Sequence, residues 1–278
     1  MNARLLFILL LFTIGALWYI IGYWRRKAGE AAFAAARLTE KSEERERYCR
    51  LAVMAGHREA GRMFCLLHPE RFDGHSPHKP FKLRGIRISF YGYYYPSRYN
   101  ALLNDEQRAF CHSIYQFKQG DIHGIEFFKT CMNALQLKKR PYHIMFMPCS
   151  NWIKYGQRFK RLDWYIGKHR QDLTSGLYDV DICDARESLH EAKGGEKRIL
   201  ERNYLITGKI KGKEIIIIDD VLTTGQSVAD YKEEIERCGG KVVAAIFYGK
   251  TLSMPSMLLV QIHVWGNHIA HIIERMTK

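Results

Sequence analysis

The most constraining stretch of this chain is Ile215-Ile216-Ile217-Ile218-Asp219-Asp220-Val221-Leu222-Thr223-Thr224-Gly225-Gln226-Ser227. Four β-branched residues in succession predict a strand buried on both faces, which belongs in the interior of a parallel sheet. Asp219 and Asp220 then fall at its carboxyl end, the edge at which open α/β sheets bind ligands. Two carboxylates there can meet the neighbouring hydroxyls of a ribose. Thr223, Thr224, Gly225, Gln226 and Ser227 are small, hydroxylated or amide-bearing, so their backbone N–H groups can curl round a monophosphate at the start of a helix. Residues 228–238 would form that helix, Gly239-Gly240 its left-handed stop, and residues 241–248 the adjacent parallel strand. A plain βαβ unit, with aspartates solvating a turn and a capped helix, would account for the same pattern but does not need two acids ahead of five such loop residues.

The run from Ile215 to Ser227 resembles the signature of type I phosphoribosyltransferases, enzymes that use 5-phosphoribosyl-1-diphosphate (PRPP). The resemblance implies that Asp219 and Asp220 hold the 2- and 3-hydroxyls, directly or through water-linked Mg2+. It also implies that Thr223, Thr224, Gly225, Gln226 and Ser227 bind the 5-phosphate. Some purine-salvage relatives carry a third acid where Thr223 stands, so a carboxylate base at that position is absent here.

Further parts of such a site are visible upstream. Ile144-Met145-Phe146-Met147-Pro148-Cys149-Ser150, followed by Lys154, Arg158, Phe159, Lys160 and Arg161, reads as strand, sharp turn and basic helix start. Such a turn presents N–H groups and cations to pyrophosphate, which makes Cys149, Ser150, Lys154 and Arg158 the expected pyrophosphate-binding residues. Together with Tyr115-Gln116-Phe117-Lys118-Gln119-Gly120, the segment is similar to the ComF-like, competence-associated branch. There a lysine-aromatic-x-Gly segment precedes a proline-containing turn and an Arg-Gly-Phe-Asn-Gln-like run. Gln157-Arg158-Phe159-Lys160-Arg161 occupies the place of that run, with the glycine and the amide ending replaced. The cysteine-rich zinc module usual at the start of ComF-like proteins is missing.

Residues 188–203 include Lys193-Gly194-Gly195-Glu196-Lys197-Arg198 and read as a polar lid. In the resembled family the corresponding segment closes over the diphosphate, which would exclude water and bring in Lys193 and Arg198 beside the two aspartates as catalytic groups. A solvated basic loop would have the same composition. Five tyrosines, Tyr91, Tyr93, Tyr94, Tyr95 and Tyr99, could stack on a nucleobase, although an aromatic strand more often packs in a core.

A chain of 278 residues leaves room for one α/β domain and a smaller appendage. Residues 5–24 contain no charge and precede Arg25-Arg26-Lys27. They read as a transmembrane anchor over residues 1–27, a single pass that leaves the C-terminal domain cytoplasmic. A secretory signal peptide would carry its basic cluster on the other flank. Residues 28–68 read as a helical hairpin resembling one SEL-type, tetratricopeptide-like repeat, residues 69–80 as a linker, and residues 81–278 as the phosphoribosyltransferase-like domain. The fold class expected is therefore α/β, a parallel sheet flanked by helices, preceded by one membrane helix and a short hairpin.

Seven cysteines without a Cys-x-x-Cys pair do not form a disulfide framework, and His68, His75 and His78 lack cysteine partners at zinc-binding spacing. A net charge of +14 is compatible with phosphorylated ligands, nucleic acid or an anionic membrane surface without choosing among them. The partners these readings imply are PRPP or a related phosphorylated ribose, the membrane, single-stranded DNA and a second copy in a homodimer. Two functions follow: transfer of the phosphoribosyl group to an unidentified acceptor, or PRPP sensing and single-stranded-DNA handling on the same fold without turnover. An adaptor with a vestigial ligand site is a third.

Overall fold

A computed structural model describes residues 3–122, 124–182 and 203–277. The chain divides into two compact units. One comprises Met1–Gly74, Ala101–Leu103 and Ser253–Lys278; the other comprises His75–Asn100 and Asn104–Leu252. The C-terminal helix falls in the first unit.

The first unit is helical: α1 (Ala3–Leu38), α2 (Ser42–Met54), α3 (Arg58–Leu67), the short α4 (Pro69–Asp73) and α9 (Met257–Met276). Phe33 and Ala36 of α1, Cys49, Ala52 and Val53 of α2, and Val260 and Val264 of α9 share one apolar core with Met63, Phe64 and Cys65 of α3. A turn at Gly56-His57 separates α2 from α3, and the His57 side chain caps α3 by accepting from the Ala60 N–H. Part of the expected linker is helical, because Pro69 opens α4 and Gly74 closes it in a left-handed conformation.

The membrane anchor requires correction. Among the described residues no helix is long and apolar enough to cross a membrane, so the single-pass localisation is not upheld. The uncharged run of residues 5–24 ends at Arg25-Arg26-Lys27. A spanning helix needs about 20 predominantly apolar residues. Instead α1 continues unbroken through the basic triplet and buries Phe33 and Ala36 near its end.

The second unit is α/β, with a mostly parallel sheet flanked by helices. Its strands are β1 (Phe81–Leu83), β2 (Ile86–Tyr94), β3 (Tyr142–Phe146), β4 (Leu173–Ser175), β7 (Glu214–Leu222) and β8 (Lys241–Thr251). The order is β1-β2-β8-β7-β3-β4, and every pairing is parallel except that of β1 with β2. A separate antiparallel pair joins β5 (Val180–Ile182) to β6 (Tyr204–Ile206). The helices are α5 (Asp105–Gln119), α6 (Ile125–Leu135), α7 (Trp152–His169) and α8 (Gln226–Arg237).

Ile215, Ile216, Ile217 and Ile218 are completely buried, as a strand covered on both faces requires. The sheet continues past the two acids, since Leu222 still pairs with Lys250 of β8. A cluster of rings fixes the helices against the sheet: Tyr248 of β8 stacks on Phe127 of α6 at 4.7 Å and meets Phe117 of α5 edge-on at 5.4 Å. Phe117 in turn packs against Phe159 of α7 at 5.9 Å. This last contact matters for the site, because the residues next to the two phenylalanines are Lys118 and Arg158.

Candidate active site

Asp219 and Asp220 lie near the end of β7, as expected, with side chains only 15% and 9% exposed. Their cationic partners come from the two ring-packed helices. Arg158 Nη1 lies 2.7 Å from Asp220 Oδ2 and 3.8 Å from Asp219 Oδ1, and Lys118 Nζ lies 3.5 Å from Asp220 Oδ2. The backbone N–H of Asp220 donates to Asp219 Oδ1 at 2.7 Å. Burial, and then the adjacent Asp220 charge, push the Asp219 carboxyl well above the ordinary range, to about 8. Burial opposes the charge of Arg158, but Asp220, Cys149 and Asp219 outweigh it and hold the guanidinium above its usual value.

The loop after β7 has the form of a phosphate cradle. Gly225 adopts φ 75°, α8 begins at Gln226, and no side chain caps that helix through its N-cap residue. Thr223, Thr224, Gln226 and Ser227 are exposed, and the Gln226 N–H donates to Thr224 Oγ1 over a long 3.4 Å. First-turn amides of an uncapped helix are ready donors to an anion. Gln226 itself turns aside, its Nε2 donating to Asp230 Oδ1 at 2.6 Å.

The expected pyrophosphate turn runs beside this strand, with the Met147 N–H donating to the Ile218 carbonyl at 2.9 Å. Asn151 caps α7 by accepting from the Lys154 N–H at 2.9 Å. Lys154 is exposed, while Cys149 is buried and its thiol is pushed up to about 12 by that burial. Cys149 therefore contributes backbone rather than a thiolate, and its carbonyl accepts from Asn203 Nδ2 at 3.2 Å. Of the four residues assigned to pyrophosphate, the structure brings Arg158 onto the acid pair; Lys154 makes no ion pair with either acid among the described residues. Lys193 and Arg198 lie outside the described residues.

Sequence reasoning missed two cations. Lys118 was visible only as part of a motif, and its reach to Asp220 depends on how α5 packs. Arg84, in the turn between β1 and β2, donates through Nε to the Thr224 carbonyl at 3.4 Å and so stands beside the phosphate loop. Lys118 also lines a cavity of about 340 Å3 with Tyr94, Tyr95, His112 and Tyr115. Tyr93 and Tyr99 are buried in packing, and Tyr95, although it lines that cavity, is equally buried.

The donor set does not fit a divalent cation coordinated by the protein alone. Among the described residues no group of three His, Cys, Asp or Glu side chains could hold a metal ion, and the two carboxylates here already face two cations.

Two comparisons with known proteins bear on this chain. Residues 171–251, which contain both acids, the loop, α8 and β8, match the phosphoribosyl transferase domain family. The chain is also 42% identical over 57 residues to "Orotate phosphoribosyltransferase" from Sulfolobus acidocaldarius, a match covering 20% of this chain and 26% of that protein. The match thus spans about a quarter of the relative's length. The segment holding Asp219, Asp220 and the loop to Ser227 is thus similar to a phosphoribosyl transferase domain, and it lies in a mostly parallel sheet flanked by helices.

Proposed function

We propose that this protein is a phosphoribosyltransferase that binds PRPP and transfers its phosphoribosyl group to a nitrogenous acceptor. The observation carrying this reading is the acid pair at the end of β7, followed within a few residues by an uncapped helix start. A ribose 5-phosphate set across that junction places its phosphate on the amides of Thr224 to Val228 and its hydroxyls on Asp219 and Asp220. Fixing both ends leaves C1 as the free, reacting centre. As the bond to the diphosphate lengthens, positive charge grows on the ribosyl carbon and negative charge on the leaving group. The turn after β3, with Ser150 and Lys154, receives that negative charge. The Tyr94, Tyr95 and Tyr115 cavity, joined to the acids through Lys118, is where a planar acceptor would stack.

The motif order that resembles the ComF-like branch supports the same substrate but names no acceptor. The test is to mix protein, PRPP with magnesium, and a panel of bases that includes orotate, and to measure pyrophosphate release. Release that requires one particular base and disappears in Asp219→Asn/Asp220→Asn is the expected result. PRPP binding with no base-dependent release would reduce the function to ligand sensing.

A further inference from the structure

We infer that Arg158 is a built-in counter-cation for Asp219 and Asp220, so that the acid pair binds the hydroxyls of a phosphorylated ribose without a divalent metal. The inference rests on the phosphoribose reading above and deepens it.

The geometry is that of a site supplied with its own positive charge. Arg158 reaches both carboxylates, at 2.7 and 3.8 Å, and its side chain is 16% exposed. Lys118 adds a second cation at 3.5 Å from Asp220. Two acids facing two cations leave no net negative charge to attract a metal ion. A metal would also compete with the guanidinium for the Asp220 oxygen and leave Arg158 buried without its partner, an arrangement that strongly opposes displacement. A sugar diol has no such conflict. Each hydroxyl can donate to a carboxyl oxygen and accept from a guanidinium or ammonium N–H, so it enters without displacing either cation.

Arg158 is not consumed by the salt bridge. Its Nε is buried and makes no hydrogen bond to the described protein atoms. The neighbouring Phe159, over whose ring the Arg158 guanidinium sits at 5.6 Å, holds the side chain in place.

Titration calorimetry with ribose 5-phosphate tests this directly, because that ligand lacks the diphosphate that carries magnesium into a site. Wild-type protein should bind it equally in EDTA and in millimolar magnesium. Arg158→Met should lose about tenfold or more in EDTA and recover part of that loss with magnesium. Wild-type affinity that rises about tenfold with magnesium, or an Arg158→Met variant that binds normally in EDTA, would overturn the inference. The wild-type comparison needs no variant, and Arg158→Lys, which keeps the charge, serves if the methionine variant fails to fold. Binding that appears only with magnesium would defeat this inference and leave the phosphoribose site standing. Absence of ribose 5-phosphate and PRPP binding under both conditions would defeat both.

Discussion

Gly120 faces the main chain of Gln157 so closely that a Cβ on the glycine would lie 2.4 Å from the Gln157 carbonyl oxygen. This contact joins the end of α5 to the middle of α7, two residues from Lys118 on one side and one from Arg158 on the other. Gly120 also has φ 80°, a conformation that costs a residue with a Cβ. The close approach and the Phe117–Phe159 contact therefore set together the distance between the two cations that meet Asp220.

Gly120→Ala should accordingly act on stability and on ligand binding at once. Backbone strain and the forced separation of α5 from α7 should cost about 1–3 kcal/mol in denaturant unfolding. Ribose 5-phosphate affinity should fall with it, since Lys118 and Arg158 no longer meet the same carboxylate. Unchanged unfolding and unchanged affinity would show that the two helices adjust independently of this glycine.

Asp219 gives the protein a distinctive pH dependence. Its folded-state pKa is raised to about 8 by burial and by Asp220. The folded protein therefore keeps a proton that the unfolded chain has released above about pH 4. Stability from this group is fully present at low pH and falls as pH rises through that window, flattening above pH 8. Asp220, Arg158, Lys118 and Cys149 surround the group. Asp219→Asn removes the titration, so its melting temperature should decline less than the wild type's between pH 5 and 8. Parallel curves for the two proteins would refute the assignment.

The contiguous part of the site was legible in the sequence because strand, acids, loop and helix follow one another without interruption. Ile215 to Ile218 announced a doubly covered strand, and Gly225 supplied the left-handed entry to α8. Arg158 and Lys118 were visible as basic residues on predicted helices, but their meeting at Asp220 depends on packing between elements about 60 and 100 residues distant in sequence. Local periodicity holds no record of such a contact. The amino-terminal helix shows the converse: its apolar run is plain in the sequence, while its continuation through three basic residues and the burial of Phe33 and Ala36 come from packing on α2, α3 and α9.

A second buried network lies away from the acids. His143 of β3 is 3% exposed, with Nδ1 2.7 Å from Thr174 Oγ1 and Nε2 2.6 Å from Asp179 Oδ2. Burial, and then Lys213, lower its pKa. The unfolded chain therefore takes up a proton first as pH falls below about 6.5, and stability is lost on acidification from there. His143→Ala should cost about 2–4 kcal/mol at neutral pH through the cavity and the abandoned partners. It should also abolish the acid loss, a sign opposite to that of Asp219 and separable from it in the double variant. An acid-dependent loss that persists in His143→Ala would assign it elsewhere.

Arg84 supplies the last test, and it concerns the phosphate loop from outside. The turn between β1 and β2 is held by left-handed conformations at Arg84, φ 49°, and Gly85, φ 76°. That turn carries Arg84 to the Thr224 carbonyl and sets Leu83 against Gly225, where an added Cβ would come within 2.6 Å of Leu83 Cδ2. The hairpin therefore braces the loop and brings a guanidinium next to it. Arg84→Ala should leave stability within about 0.5 kcal/mol, because the side chain is exposed. Affinity for inorganic phosphate and ribose 5-phosphate should fall by up to about fivefold, and the difference from wild type should shrink as salt rises. Gly225→Ala should instead lose binding at every salt concentration, since it displaces the amides themselves. Equal phosphate affinity in Arg84→Ala and wild type at low salt would show that the arginine only braces the turn.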